Sequence, residues 1–244
     1  PGPDSDDADN TKPDSPITDA AATHSPEHEC RCSIRRRDRG YALGMVSFID
    51  RLLGTAGRTV HVLQDNGIPC ALTGDCAMYA RGGPAAEVGS EVDVLLRPAD
   101  LARGLRVLAA EGLRSPLPTA EAERTTLYDN DIRVDLVVRP NYRPVTDELL
   151  ARAEALPLRP AAPVATSAPV VTVADFLVDE LTVADPHRLD FTRLLHITRE
   201  LRAQVDWERV WAETAASPYA RAFLGLLDDL GVSGGRCEHG STEV

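Results

Sequence analysis

The sequence predicts an α+β fold, in which a small mixed β-sheet flanked by helices is followed by a C-terminal helical bundle. Short apolar strands alternate with helical patterns through the first part of the chain, in the order α-β-α-β-α-β-β. The last two of these strands form a predicted hairpin around Asp129-Asn130. Beyond residue 155, apolar residues recur mainly at helical spacing.

These patterns divide the chain into four predicted parts. They are a disordered acidic tail over 1–44, a sheet-containing core over 45–155, a helical domain over 156–232 and a disordered tail over 233–244. The first thirty positions contain eight acidic residues against Lys12 alone. The first tail also lacks the large apolar side chains whose burial would offset the entropy of ordering it.

The core begins with a predicted helix over 45–67, in which Gly54 and Gly57 indicate a break. A short apolar strand follows at 69–73. A second helix starts directly from Gly74, without an intervening loop.

A glycine-rich loop over 82–89 then leads into an apolar strand at 91–96. Pro98 and Gly112 mark the beginning and the end of the next helix. The hairpin follows, and its second strand covers 132–138.

A Pro-rich connection over 157–169 precedes the helical part of the chain. Helical patterns cover 173–183 and 187–205. Asp206 is the predicted N-cap of the following helix, and Ser217-Pro218 begins the last one.

Composition excludes several kinds of chemistry. The chain beyond the first tail contains no lysine, which rules out Schiff-base catalysis and a P-loop lysine. The net charge of −12 argues against a general nucleic-acid binder, although arginine clusters remain able to hold a phosphate.

Five cysteines without the spacing of a disulfide framework favour a reducing compartment. No stretch approaches the length of an apolar membrane span, so we expect a cytoplasmic protein.

A metal site in the first tail is one alternative use of the cysteines. His24, His28, Cys30 and Cys32 lie close together in sequence, but they lack the paired spacing of a zinc site. A solvated tail is the favoured interpretation.

Acidic residues interrupt two otherwise apolar strands. Glu91 and Asp93 are two residues apart, so their side chains point to the same face of one strand. Asp135 is the single acid within the second strand of the hairpin. If these strands are neighbours, three carboxylates converge, and hard oxygen ligands of this kind suit Mg²⁺ or Mn²⁺.

Structural roles are the alternative for each acid. Glu91 and Asp93 taken alone also fit a solvated strand face. Asp135 taken alone also fits a hairpin residue bonded to Arg133 or Arg139. Two acidic strands together with a strand–glycine–helix turn upstream form a less common combination, which favours a site.

Four segments carry a family resemblance: LTGDCAMYARGGP, EVDVLLRPAD, DIRVDLVVRPNYRPVTDELLARAE and DWERVWAETAASPYARAFLGLLDDLGV. Over about residues 56–232 the chain resembles the nucleotidyltransferase superfamily typified by DNA polymerase β. It is most similar to small actinobacterial nucleotidyltransferase family proteins, relatives of toxin and abortive-infection nucleotidyltransferases. The acid-x-acid strand of the superfamily motif matches at Glu91 and Asp93, and its third acid matches at Asp135.

The resemblance implies that residues 45–155 form a nucleotidyltransferase core, which moves a nucleoside monophosphate from an NTP to a hydroxyl acceptor. The acceptor would be a tRNA end, a protein side chain or a small molecule, and an antitoxin would be a further partner. Glu91, Asp93 and Asp135 would be the catalytic residues and would hold two Mg²⁺ (or Mn²⁺) ions, with Asp135 also acting as a general base. Nucleotide binding would fall to Thr73, Gly74, Asp75 and Ser90.

Two positions depart from the family pattern. Asp75 stands where relatives carry Ser or Gly, and its negative charge would oppose a triphosphate. Glu180 stands where relatives tend to carry Lys. The alternative to an active enzyme is therefore a catalytically weakened relative that binds a nucleotide or a partner protein. A phosphohydrolase with the same metal site is a third hypothesis, which the lack of a His cluster disfavours.

Overall fold

The computed structural model describes residues 47–115, 124–158, 167–184, 187 and 190–233. The predicted tail over 1–44, with its candidate zinc ligands, lies outside these residues. The predicted tail over 233–244 also lies outside them, apart from its first residue.

Helix α1 covers residues 47–65 without interruption, so the predicted break at Gly54 and Gly57 is wrong. A glycine inside a helix costs about 1 kcal/mol relative to alanine. The apolar stripe of the helix offsets this cost, because Leu52, Leu53 and Leu63 are almost fully buried in the core. Packing of this stripe outweighs the local preference of the two glycines.

Six strands form one mixed sheet, which confirms the predicted fold class. The strands lie in the order β3-β4-β2-β1-β6-β5. Pairing is parallel between β2 and β4 and between β1 and β6, and antiparallel elsewhere. Their bounds are Cys70–Thr73 (β1), Glu91–Leu96 (β2), Arg124–Asp129 (β3), Ile132–Val137 (β4), Glu154–Pro157 (β5) and Ser167–Val170 (β6).

The predicted hairpin is confirmed by the antiparallel pairing of β3 with β4. Asn130 lies in its turn with a φ of 54°, a left-handed conformation that asparagine tolerates better than most residues. The hairpin joins the sheet through β4, which pairs with β2 over residues 133–137. The acidic strand β2 is therefore central in the sheet.

The predicted Pro-rich connection over 157–169 is wrong in its described part, because residues 167–170 form strand β6. The four-residue strand has too few positions to show a clear alternation in sequence. It pairs with β1, which is remote in sequence, and with β5, which lies on the other side of the connection. The boundary predicted at 155/156 consequently falls within β5, inside the sheet.

Helices flank this sheet and account for most of the other residues that the structure describes. They are α2 (Gly74–Ala80), α3 (Leu101–Ala110), α4 (Asp147–Arg152), α5 (Val173–Thr182), α6 (Thr192–Leu201), α7 (Trp207–Thr214) and α8 (Pro218–Asp229). Short 3₁₀ turns lie at Ala85–Glu87, Pro98–Asp100, Pro140–Tyr142 and Arg202–Gln204. Among the described residues, none of these helices has both the length and the apolar character needed to cross a membrane.

The predicted N-caps of the last two helices are confirmed. The Asp206 side chain accepts a hydrogen bond from the Arg209 amide at 3.1 Å, and Ser217 accepts one from the Ala220 amide at 3.2 Å. Helix α6 is shorter than predicted, because His187 lies in a turn and Asp190 precedes the helix. The Asp190 side chain accepts from the Thr192 amide at 3.0 Å, so a side-chain bond defines where α6 begins.

A buried arginine ties α2 to the edge of the sheet that the sequence did not predict. Arg81 donates from Nε to the Val171 carbonyl at 2.6 Å and from Nη2 to the Val170 carbonyl at 3.1 Å. Its Nη1 lies 3.1 Å from Glu154 of β5. The arginine side chain is 3% exposed, so these bonds replace water at the carbonyl groups.

We expect Arg81→Met to lower the free energy of unfolding by about 2–4 kcal/mol, because two buried carbonyl oxygens lose their donor. Chemical denaturation measures this change. Glu154→Gln is the matched control, and it should cost less than about 0.5 kcal/mol because the Glu154 side chain is 59% exposed. Equal losses in the two variants would contradict a stabilising role of the carbonyl bonds.

Candidate active site

The register between β2 and β4 brings three carboxylates together. Asp93 lies directly beside Asp135 on the neighbouring parallel strand, and Glu91 lies beside Arg133. One oxygen from each of Glu91, Asp93 and Asp135 lies within 4.8 Å of the others. The predicted convergence of the three carboxylates is confirmed, and we call these residues the acidic triad.

Burial increases from one end of the acidic triad to the other. The Glu91 side chain is 35% exposed, that of Asp93 is 11% exposed and that of Asp135 is fully buried. Val92 and Val94 on the opposite face of β2 are also buried. A solvated strand face is thereby excluded for Asp93 and Asp135.

Asp135 is surrounded by hydrogen-bond donors from the hairpin. Its Oδ1 accepts from the Thr126 hydroxyl at 2.7 Å and from Arg133 Nε at 3.0 Å. Its Oδ2 accepts from Arg124 Nη1 at 2.8 Å. The structural alternative weighed for this residue is therefore right about Arg133, whereas Arg139 lines the cleft described below.

Two guanidinium groups neutralise much of the charge of the acidic triad. Arg124 Nη1 lies 3.1 Å from Asp93 Oδ1 and 3.8 Å from Glu91 Oε1, in addition to its bond to Asp135. Arg133 Nη1 lies 3.1 Å from Glu91 Oε2. Arginine partners of this kind make the burial of carboxylates less unfavourable.

Asp93 nevertheless retains an unused oxygen. Its Oδ1 is buried and has no hydrogen-bond partner, because the nearby Arg124 nitrogen is not aligned to donate to it. Burial raises the pKa of Asp93 to about 7; Arg124 opposes the shift, and the Glu91 and Asp135 carboxylates add to it. A buried acceptor without a donor, flanked by two more carboxylates, fits a hard divalent cation.

Gly74 is required where it stands because the backbone passes very close to Asp93. A Cβ atom at this position would lie 2.5 Å from Asp93 Oδ2. The residue also has a φ of +71°, which side chains other than glycine rarely allow. The glycine in the strand–glycine–helix turn thus allows the backbone to pass close to the Asp93 carboxylate.

The two departures from the family pattern share one partner. Arg193 of α6 forms ion pairs with both Asp75 and Glu180, through Nη1 to the former and through Nη2 to the latter at 2.7 Å. Burial raises the pKa of Asp75, while Arg193 acts against this shift and Glu180 adds to it. Asp75 therefore faces Arg193, and the sequence reasoning missed this compensating cation.

A cleft of about 390 Å³ opens beside the acidic triad. Among the predicted site residues, Thr73, Gly74 and Asp93 line it, together with Glu180. The others lie outside its lining, namely Asp75, Ser90, Glu91 and Asp135. Its remaining walls come from Arg124, Val137, Arg139, Pro140, Asn141, Phe176, Asp179 and Val183.

The wall opposite the sheet contains a second perturbed acid that sequence reasoning missed. Asn141 Nδ2 donates to the Asp179 carbonyl at 2.6 Å and to its side chain at 3.0 Å. Burial raises the pKa of Asp179 to about 6, with the Asn141 bond acting in the opposite direction. Asn141 itself has a φ of 54°, a conformation often found at functional sites.

The predicted hairpin contains a sequence signal for Arg133 and also for Arg124, the arginine that the sequence analysis missed. Thr126 lies opposite Asp135 across the hairpin, and Arg124 is two residues from Thr126 on the same face. Arg133 is likewise two residues from Asp135 on one face of β4. Arg193 gives no such signal, since its contacts join separate helices.

The chain is similar to solved structures at low sequence identity. No family model matches the sequence, and no curated protein matches it. The chain is similar to the solution structure of the antibiotic-resistance factor ANT(2'')-Ia, with 17% identity and a TM-score of 0.48 over 70% of this chain and 94% of that chain. It is also similar to the crystal structure of ANT(2'')-Ia in complex with adenylyl-2''-tobramycin, with 15% identity and a TM-score of 0.48 over 70% of this chain and 98% of that chain. At this distance no activity is carried over from them.

Gly74→Ala should lower the free energy of unfolding by about 2–4 kcal/mol, because the new methyl group meets the Asp93 carboxylate and the positive φ is strained. Gly231→Ala is the matched control, since Gly231 has a φ of +65° and no atom within 4 Å of an added Cβ. Its free energy of unfolding should fall only by the cost of the positive φ, about 1–2 kcal/mol. If both variants lose the same stability in denaturant titrations, the close approach to Asp93 has no energetic weight.

The stability of the metal-free protein should decrease as pH rises from about 4 to 7. The pKa of Asp93 in the folded protein, about 7, lies above the ordinary value of 3.8, so ionisation disfavours the fold. The stability contribution of the protonated form is complete below the ordinary value and is lost as pH rises through about 7. Asp93→Asn cannot ionise, so it should gain roughly 1–3 kcal/mol over wild type across this range. Thermal unfolding at several pH values measures it, with exposed Asp131→Asn as the control that follows wild type.

Proposed function

We propose that this chain is a divalent-metal-dependent nucleotidyltransferase, which transfers a nucleoside monophosphate from an NTP to a hydroxyl acceptor. The observation that carries the proposal is the acidic triad on neighbouring parallel strands, with a buried Asp93 oxygen that accepts no hydrogen bond at the edge of a cleft. The resemblance of the acid-x-acid strand and of the third acid supports the same conclusion.

Mg²⁺ or Mn²⁺ would be held by Glu91, Asp93 and Asp135. When bound, such ions polarise the phosphate and stabilise the attacking and leaving oxygens of an in-line displacement. The contacts of Asp135 argue against the general-base role implied by the resemblance. Both of its oxygens already accept bonds, and its side chain is fully buried away from the cleft.

The chain's own residues would position the nucleotide at the triad end of the cleft. Thr73 and Gly74 line the cleft next to Asp93, and the missing side chain of Gly74 lets the Asp93 carboxylate lie against the backbone. Arg124 and Arg139 supply positive charge in the same lining, where the triphosphate is negative. Ser90 is exposed and Asp75 is engaged by Arg193, so neither is assigned a direct contact.

The acceptor would enter from the α5 side of the cleft, past Asp179 and Glu180. A cleft of about 390 Å³ has the size of small-molecule sites in proteins, whose volumes run from about 300 to 1,000 Å³. This size supports a small molecule, or the terminal residue of a tRNA or protein, as the part that enters. The predicted antitoxin partner and the predicted cytoplasmic location stay predictions.

A nucleotide-binding relative without turnover is the second candidate. The observation that favours it is the neutralisation of the acidic triad by Arg124 and Arg133. A purely structural ion-pair network would show the same contacts. The two candidates differ in whether metal and substrate can displace these arginines, and transfer assays separate them.

Incubation with each α-labelled NTP and Mg²⁺ or Mn²⁺, in the presence of RNA, protein or a small-molecule extract, should give a labelled acceptor. Asp93→Asn should reduce the transfer rate at least about 100-fold, because it removes a metal ligand. The matched control is Asp131→Asn, an exposed carboxylate at the far end of the same hairpin, which should retain wild-type activity.

Each result decides between the candidates. Saturable NTP binding without transfer would favour the binding relative. The absence of both, with no effect of Mg²⁺ or Mn²⁺ on the melting temperature, would show that the acidic triad is structural. Equal transfer by wild type and Asp93→Asn would place the reaction at some other site.

A further inference from the structure

Arg124 has a position that the proposed reaction leaves unexplained. It is the first residue of β3, and its Nη1 atom lies between Asp93 Oδ1 at 3.1 Å and Asp135 Oδ2 at 2.8 Å. Glu91 lies 3.8 Å from the same atom. One nitrogen atom therefore faces all three carboxylates of the acidic triad, where a divalent cation would be expected.

The two arginines at the acidic triad are not equivalent. Arg133 contacts Glu91 and Asp135 from the side of β4, and it does not line the cleft. Arg124 does line the cleft, and among the described residues it is the cation that forms an ion pair with Asp93. Of these two arginines, Arg124 is therefore the one that faces the space in which a nucleotide would lie.

The Arg124 contact with Asp93 is an incomplete substitute for a metal. The nitrogen donates its hydrogen bond to Asp135, and Asp93 Oδ1 is left buried without a donor. A cation bound to this oxygen would place two positive charges within a few ångströms of one another, so metal and guanidinium compete for the position. Because Asp93 Oδ1 has no donor while Arg124 is in place, we expect the metal, and not Arg124, to complete the site.

We propose that Arg124 is a positioning residue that occupies the cation position of the acidic triad until metal binds, and then moves to the phosphates of the bound nucleotide. The inference rests on the proposed function. Removal of Arg124 should therefore strengthen the binding of a metal alone and weaken the binding of a metal–triphosphate complex.

Exposure and chemistry both allow this movement. The Arg124 side chain is 45% exposed, whereas its carboxylate partners Asp93 and Asp135 are 11% and 0% exposed. A long arginine at the first position of a strand can turn its guanidinium group by side-chain rotation alone. The planar guanidinium also matches phosphate oxygens in a two-point contact.

The opposite signs of the two effects distinguish this role from a purely structural one. While no metal is bound, Arg124 holds together carboxylates that would otherwise repel each other. A structural ion pair would lose metal and triphosphate binding together when it is broken, because the triad would open. A competing cation that becomes a phosphate ligand changes the two affinities in opposite directions.

Titration calorimetry of the full chain tests the proposal with two probes, Mn²⁺ alone and Mn²⁺ with inorganic triphosphate, so that no particular base is assumed. Arg124→Gln should bind Mn²⁺ about 3- to 10-fold more tightly than wild type and the Mn²⁺–triphosphate complex about 10-fold more weakly. Arg139→Gln is the control, since Arg139 lines the same cleft without an ion pair to the acidic triad. It should leave the affinity for Mn²⁺ alone unchanged.

The outcomes separate this inference from the proposed function. If wild type and Arg124→Gln bind Mn²⁺ with equal affinity, and Asp93→Asn binds none, the metal site stands and the role of Arg124 is refuted. If neither wild type nor Arg124→Gln binds Mn²⁺, the metal site itself is refuted, and the inference with it.

Should Arg124→Gln fail to fold, Arg124→Lys keeps the charge but loses the planar fork, and it should weaken triphosphate binding with Mn²⁺ affinity close to wild type. Unchanged triphosphate binding in Arg124→Lys would overturn the proposal.

Discussion

The parallel pairing of β2 with β4 is the constraint on which the candidate site depends. Its register sets Asp93 beside Asp135 in the centre of the sheet, where ionised carboxylates are costly. Everything around them compensates for this placement: two arginines and a threonine from the hairpin supply positive charge and donors. Asp93 Oδ1 lies 3.1 Å from Arg124 but accepts no hydrogen bond, and the chemistry we propose is centred on this oxygen.

The same carboxylate determines the shape of the neighbouring turn. Gly74 carries no side chain because Asp93 occupies the space of a Cβ, and α2 begins immediately beyond. Asp75 then turns towards Arg193, which also holds Glu180 of α5. The wall of the cleft formed by α5 is thereby joined to α2 through one guanidinium group.

Local patterns were enough to predict the hairpin and the strand β2, whereas the meeting of the three acids was predicted only on the condition that β2 and β4 are neighbours. Spacing of two residues in a strand and pairing through a short turn are properties of neighbouring positions. Prediction was wrong for the break in α1 and for the connection before α5. In each case a long-range contact decides the structure: burial of the α1 stripe in the core, and the pairing of β6 with β1.

The sequence by itself determined which faces of β2 and β4 carry acids, because side chains alternate along a strand whatever the surrounding fold. Only the tertiary structure decided that Arg124 and Arg133 neutralise these acids, and that Arg193 unites Asp75 with Glu180. The physical reason is that a carboxylate's partner is chosen by distance in space, which strand order and helix packing decide and which sequence separation does not record.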